Sequence, residues 1–315
     1  MYRRMLVPLD GSELSEVVFP YIKELAARLD IEVVMLHVRS PEEQDKESLY
    51  QAYIKHKVEV AQRQMEDVRG EIGGELLTVR GENAVGDPAE EILLYVDESE
   101  ADLVLMATHG RSGIRRFVMG SVAEKVLQTS SVPVLLVSAR VSQQIAYDKW
   151  PVRRILVPLD GSDLAESVLS HVETLAKERD AGPVEVVLFI VCEPTVMPDY
   201  YPPSARFGTP GGAVHVMPRD YAKGETAKQK IVYEQYLIGV KNKLSDSGIS
   251  ARVEVRVGKP AEEIIDYVET NPFHIIVMST YGRSGFGRWA YGSVAAKVLQ
   301  KSPSPVFLVR PPRSG

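Results

Sequence analysis

Two stretches of this chain combine the residue types that hold a phosphate against the backbone. The first runs Ala107-Thr108-His109-Gly110-Arg111-Ser112-Gly113 and continues to Gly120-Ser121; the second runs Ser279-Thr280-Tyr281-Gly282-Arg283-Ser284-Gly285 and continues to Gly292-Ser293. Glycine lacks a Cβ, so the chain can bend back and bring its N–H groups close to an anion. A Gly-Ser pair opening a helix adds the helix's free N–H groups, its positive end and a hydroxyl donor. Arg111 and Arg283 add charge. The same glycines also serve tight strand-to-helix turns, so the pattern alone leaves phosphate binding and turn formation open.

A second recurring element is Val7-Pro8-Leu9-Asp10-Gly11-Ser12, which returns as Val157-Pro158-Leu159-Asp160-Gly161-Ser162. Each follows a short apolar run, so Asp10 and Asp160 fall at the carboxyl end of a strand. An acid there can accept hydrogen bonds from a ribose or a base amine, and it can equally open a turn before Gly-Ser. Both readings stand at this level.

Other chemistry is poorly supplied. Neither copy has Gly-x4-Gly-Lys-[Ser/Thr], and neither has Gly-x-Gly-x-x-Gly after its first strand. His37, His56, His109, His171, His215 and His274 are scattered without metal-ligand spacing. His37 is matched by Ile190 and His109 by Tyr281 in the other copy, so neither is an indispensable catalyst if both sites work. Ser121 has no evident base, which argues against a serine nucleophile. The residues supply no catalytic set; binding is favoured over catalysis, with at most slow hydrolysis left open.

The elements that must position these loops are themselves duplicated. The segment from Arg4 to Ser12 repeats 150 positions later, and the glycine-rich loops repeat at an offset of 172. A period this long is domain duplication, not a solenoid. Strands are expected at Met5-Leu6-Val7, 31–38, 103–108 and 134–137, and at Ile155-Leu156-Val157, 184–191, 251–257, 274–280 and 306–309. Several are apolar without alternation, as in parallel strands buried on both faces. The third strand of the first copy is weaker: 76–80 is strand-like, but Gly81-Glu82-Asn83 interrupts it. Helices are expected after Ser12 and Ser162 as caps, over the charged stretch 41–69, over 225–244, and after Gly-x-Pro-Ala-Glu-Glu-Ile in each copy (86–92 and 258–264). This alternation gives an α/β class with helices on both faces of a parallel sheet. The domains are read as 1–138 and 153–315, with a linker over 139–152 whose Tyr147 and Trp150 pack on protein, and an insertion at about 193–224 rich in Pro, Tyr and Gly.

A net charge of −6 and a pI near 5.7, with no long basic block, argue against nonspecific nucleic-acid binding. The single cysteine, Cys192, excludes an internal disulfide framework and reads as a small, semi-buried residue. No apolar run reaches membrane-spanning length, and the first residues read as a strand and not a signal peptide, so a cytoplasmic protein is expected.

Taken together these residues resemble the universal stress protein family in its tandem, two-domain form, over nearly the whole chain apart from the linker and insertion. ATP-binding members carry Gly-x2-Gly-x9-Gly-[Ser/Thr]. Here Gly110 and Gly120-Ser121, and Gly282 and Gly292-Ser293, match its later part, while the opening glycine is Ala107 and Ser279. The resemblance implies two Rossmann-like (adenine nucleotide alpha hydrolase-like) domains, each a five-stranded parallel sheet in the order 3-2-1-4-5. It implies an adenine nucleotide such as ATP, with Mg²⁺ held mostly by phosphates and water, as the ligand of a stress-response or signalling protein. Asp10 and Asp160 would then meet the adenosine end, Val38 and Val191 the adenine, and Pro8 and Pro158 would shape the pocket. Met106 and Met278 would line it beside Ala107 and Ser279. Gly110, Gly120, Ser121 and Val122, with Gly282, Gly292, Ser293 and Val294, would surround ribose and phosphates. An interaction module that has lost nucleotide binding is the alternative, and an enzyme on a nucleotide-like substrate the remoter one.

The last strands, Val134 to Val137 and Val306 to Val309, carry no gatekeeping charge and would be exposed edges. They are expected to meet antiparallel and join the halves as a pseudo-twofold pair; association of two chains is left open. The insertion comes directly after Val191 and is expected over the mouth of the second site or at a subunit contact.

Overall fold

The apolar runs assemble into one ten-stranded sheet. In chain order the strands are β1 (Arg4–Pro8), β2 (Glu32–Arg39), β3 (Val79–Val85), β4 (Leu103–Ala107) and β5 (Val134–Val137), then β6 (Arg153–Leu159), β7 (Val184–Cys192), β8 (Ala251–Val257), β9 (Ile275–Ser279) and β10 (Val306–Val309). The sheet order is β3-β2-β1-β4-β5-β10-β9-β6-β7-β8, so each half has the order 3-2-1-4-5. All pairs within a half are parallel; only β5 and β10 run antiparallel, with Phe307 opposite Leu135. This computed structural model describes residues 2–73, 77–110, 119–138, 153–177, 183–195, 218–281 and 291–311. The linker with Tyr147 and Trp150, most of the insertion (196–217), and Arg111, Gly282 and Arg283 lie outside the described residues.

Apolar residues on alternate sides of the strands build two cores, one per face. Helices α1 (Phe19–Tyr21), α2 (Ala27–Leu29), α3 (Glu47–Ile72), α7 (Leu169–Ala176) and α8 (Pro218–Asp246) contribute Tyr21, Ala27, Ile54, Val172 and Leu237 to one. Helices α4 (Pro88–Glu98), α5 (Ser121–Thr129), α9 (Pro260–Thr270) and α10 (Ser293–Lys301) contribute Ile92, Val126, Ile264 and Val298 to the other. Every residue of β4 and β9 is buried, as expected of central parallel strands. Both cores draw on both halves of the chain and continue across the β5–β10 junction.

Three local expectations need correction. Gly81 does not interrupt β3; it lies inside it, paired with Met35. A Cβ at Gly81 would overlap Ile54 Cγ2 of α3, so the glycine serves the close approach of helix to strand. Helix α8 begins at Pro218, before the expected position 225, and so occupies the end of the segment read as an insertion. Proline suits the first helical turn, and the single glycine there, Gly224, costs a helix only about 1 kcal/mol. The first helix of the first copy is segmented into 3-10 (Ser15–Val18), α (α1), five-residue π turns (Ile22–Ala26) and α again (α2). In the second copy the helix breaks between α6 (Asp163–Glu166) and α7.

Candidate functional site

The Asp-Gly-Ser turns after β1 and β6 have the same internal geometry. Asp10 Oδ1 accepts from the Ser12 N–H at 3.0 Å and from the Ser12 hydroxyl at 2.6 Å; Asp160 and Ser162 repeat both distances. Gly11 and Gly161 sit at φ 83° and 82°, a left-handed conformation that glycine adopts without strain. The serine oxygens cap the next turn of the chain: Ser162 Oγ accepts from Ala165 N, and Ser12 Oγ from Ser15 N. The turn and ligand readings of the aspartate are therefore compatible, because one oxygen builds the turn. The other, Oδ2 of Asp10, faces Gly110 so closely that a Cβ there would overlap it.

The glycine loops close on themselves at their far ends. Gly120 N donates to Thr108 O at 2.8 Å, and Gly292 N to Thr280 O at 2.6 Å. Each clip sets a helix, α5 or α10, with its first residue pointing back toward the carboxyl ends of the strands. Among the described residues no side chain caps either helix, whereas α4 and α6 are capped by Asp87 and Ser162.

Between each turn and its helix lies a cavity. The first, about 350 Å³, is lined by Pro8, Asp10, Val38, Met106, Ala107, Gly110, Gly120, Ser121 and Val122. The second, about 260 Å³, is lined by Pro158, Asp160, Val191, Met278, Ser279, Gly292, Ser293 and Val294. Every nominated residue within the described part thus borders one of two cavities. Ala107 and Ser279 close their strands, and among the described residues only Asp30 and Glu100 carry positive φ without being glycine. Replacing the family's opening glycine therefore imposes no backbone strain here.

The cavities have further walls that motif reasoning did not assign. Glu43, on a 3-10 turn after β2, borders the first and accepts from the Tyr50 hydroxyl at 2.8 Å. Glu193 borders the second. Pro88 and Ile92, and their counterparts Pro260 and Ile264, come from the repeated Gly-x-Pro-Ala-Glu-Glu-Ile segments. That repetition was the available signal, since both copies kept it at the start of a helix. His109 and Tyr281 occupy matching places in the two walls.

The remaining candidates are structural. Cys192 is buried, its thiol pushed up by burial, with Gln229 Oε1 3.3 Å away. Buried His37 bonds through Nδ1 to Leu9 O at 2.8 Å and supports the strand that ends at Asp10. Among the described residues no three His, Cys, Asp or Glu side chains gather to hold a metal, and no helix is long and apolar enough to cross a membrane.

A parallel sheet in the order 3-2-1-4-5, with a cavity at its strand ends beside a helix start, defines a doubly wound α/β domain, present here twice. The universal stress protein family matches residues 1–138 and again 151–310; the chain belongs to that family. A universal stress protein of Mycolicibacterium smegmatis is 26% identical over 318 residues, covering 98% of this chain and 97% of that protein. Universal stress protein MJ0577 of Methanocaldococcus jannaschii is 28% identical over 159 residues, 45% of this chain and 98% of that protein. The crystal structure of a universal stress protein from Archaeoglobus fulgidus shares the fold at a TM-score of 0.62, with 21% identity and 98% of both chains covered.

Proposed function

We propose that the chain binds adenine nucleotides, ATP among them, in both cavities, and uses them as conformational ligands in a cytoplasmic stress-response or signalling role. The observation that carries this reading is the opposition, in each cavity, of an aspartate on a fixed turn and a helix start without a side-chain cap. The first suits the hydroxyls or amine of a nucleoside; the second suits a phosphate. The walls between them, Val38, Met106, Val122 and their counterparts, are apolar enough for a base. The first cavity, about 350 Å³, lies at the lower end of the volumes that hold small ligands, and the second, about 260 Å³, just below it.

Mg²⁺ asks for hard oxygen ligands and readily keeps its water. Asp10 or Asp160 is a suitable donor in each cavity, with phosphate oxygens and water completing the shell. The residues favour binding over turnover: the Thr108 hydroxyl lies 2.9 Å from His109 Nδ1 in the first wall, but Tyr281 takes the place of that histidine in the second, so the two cavities do not share a hydroxyl–imidazole pair. The two halves work as a pseudo-twofold pair in solution, a reading supported by the β5–β10 pairing and tested by small-angle scattering, which should report one compact particle.

The nucleotide reading is tested by isothermal titration of nucleotide-stripped protein with ATP, ADP and AMP. About one nucleotide per cavity is expected. No heat with any of the three at millimolar concentration would sink it and favour an interaction module of the same fold.

A further inference from the structure

The end of β9 brings two buried hydroxyls to the second cavity that have no acceptor for their protons. Ser279 closes the strand at 7% exposure and Thr280 follows at 3%, and both line the cavity. Ser279 Oγ accepts from Tyr281 N at 3.3 Å, and among the described residues nothing takes the hydroxyl proton in turn. Thr280 Oγ1 is buried without a hydrogen-bond partner among the described residues. A hydroxyl has one proton to give and two lone pairs. Leaving it unpaired away from water is costly, so an orphan of this kind marks a place where something else completes the bond.

The first copy satisfies the same strand end within the protein. Ala107 stands where the second copy has Ser279, so one hydroxyl is missing there. Thr108 matches Thr280, and its oxygen lies 2.9 Å from His109 Nδ1. Tyr281 replaces that histidine and brings no ring nitrogen to the place, which leaves Thr280 without its partner. One hydroxyl is exchanged in the opposite sense: Ser15 lines the first cavity and Ala165 the second. The Ser15 proton is already committed, because its Oγ donates to Ser12 O at 2.8 Å. The difference between the two walls is therefore a pair of unused donors, both in the second.

We infer that Ser279 and Thr280 set the ligand preference of the second site: their hydroxyls donate to an oxygen of the bound nucleotide, in its ribose or its phosphates. The first site holds its ligand without that contact. The inference rests on the nucleotide reading above and adds a difference between its two sites. Asp160 lines the same cavity, and an ionised carboxylate only accepts hydrogen bonds, so the donors at the end of β9 supply what the aspartate cannot. A hydrogen bond between neutral groups, or from a hydroxyl to a phosphate, is worth about two- to tenfold in affinity.

The test is titration calorimetry on the full chain carrying Gly110→Val, whose new side chain meets Asp10 Oδ2 and closes the first cavity, so that the second is read alone. Ser279→Ala and Thr280→Val should each weaken ATP binding there about two- to tenfold. Analogues locate the oxygen. A loss on Ser279→Ala that persists with adenosine and vanishes with 2′-deoxy- or 3′-deoxy-ATP assigns the sugar. A loss that persists with both deoxy analogues and vanishes with adenosine assigns a phosphate. Thermal melting of the ligand-free chain separates binding from architecture. Thr280→Val keeps the branched shape and removes an unpaired group, so the melting temperature should hold or rise, whereas Thr108→Val, which breaks a formed pair, should lower it. Should Gly110→Val fail to fold, the two-site isotherm of the otherwise wild-type chain reads the same loss in one of its sites. Second-site affinity unmoved by both substitutions, or a Thr280→Val chain that melts lower and binds as before, overturns the inference and leaves nucleotide binding intact. Absence of heat from the wild type with ATP, ADP and AMP overturns the nucleotide reading itself, and the inference with it.

Discussion

Arg153 and Glu24 form a buried ion pair between the two halves of the chain, Nη2 to Oε2 at 2.8 Å, with side-chain exposures of 7% and 3%. The same carboxylate oxygen accepts from Arg28 Nε at 2.7 Å, and Lys23 Nζ lies 3.8 Å from Oε1. The carboxylate is thus the shared anion of three cations, and the pair has no copy in the other direction: Arg3 and Thr174 stand at the matching positions. Removing the anion takes the shared carboxylate from all three cations, two of them almost fully buried, whereas removing Arg153 leaves Glu24 still paired with Arg28. Glu24→Ala should therefore destabilise by about 3 kcal/mol or more, and Arg153→Ala by about 2 kcal/mol. Urea unfolding of both variants checks the order; Arg153→Ala proving the costlier would contradict this assignment of the shared anion.

Gly110 and Gly120 border the same cavity but differ in the room they leave. A Cβ at Gly110 would overlap Asp10 Oδ2, while one at Gly120 meets Thr108 O at 3.2 Å. Gly110→Ala should displace the aspartate and weaken nucleotide binding at the first cavity by roughly tenfold, about 1.4 kcal/mol. Gly120→Ala should weaken it much less. Titration calorimetry on the two variants separates the effects, and equal losses would show that Asp10 is not the affected group.

Gly81→Ala is expected to cost about 1–3 kcal/mol by forcing α3 away from β3. The neighbouring atoms are Ile54 Cγ2 and, at 3.1 Å, Val58 Cγ2. Scanning calorimetry would register the loss. A melting temperature unchanged by Gly81→Ala would mean that the helix–strand approach tolerates a methyl group.

Gly81 also illustrates what the sequence can convey. Its glycine reads as a break because local propensity disfavours glycine in a strand, and the opposing term is the packing of α3, some 27 residues earlier in the chain. The strands and the Asp-Gly-Ser turns were legible because duplication exposed the same residues twice and each turn is built within three residues, while the strand order came from the resemblance to the universal stress protein family. Glu43 was not legible as a wall residue: it reaches the first cavity from a 3-10 turn with no counterpart among the described residues of the second copy, where Glu193 comes from another position. The Arg153–Glu24 pair was hidden for a similar reason, since its partners are 129 residues apart and the repeat does not preserve them. The start of α8 at Pro218 was missed because Pro and Gly224 both suggest loop when read locally.

The last expectation concerns acid. Arg4 N and Arg154 N occupy matching places in the two copies, and each donates to a side chain from the start of the fourth strand of its half. In the first copy the acceptor is Asp102 Oδ1 at 3.2 Å; in the second it is His274 Nδ1 at 2.9 Å. An Nδ1 that accepts an N–H carries no proton, so His274 is neutral in the fold. Burial first, and then the charge of Arg153, hold it down at about 4 against an ordinary 6.5. The folded value lies below the unfolded one, so the unfolded chain binds more protons between them. The stabilisation is complete above about pH 6.5 and is lost progressively as the pH falls toward 4, by on the order of 3 kcal/mol in all. His274→Asp puts the first copy's acceptor in the second, and an aspartate titrates below this window. Urea unfolding of the wild type and of His274→Asp, at intervals from pH 7.5 to 4, should therefore show the wild type losing more stability between pH 6.5 and 4.5. Parallel curves for the two proteins would mean that His274 is not the group that titrates.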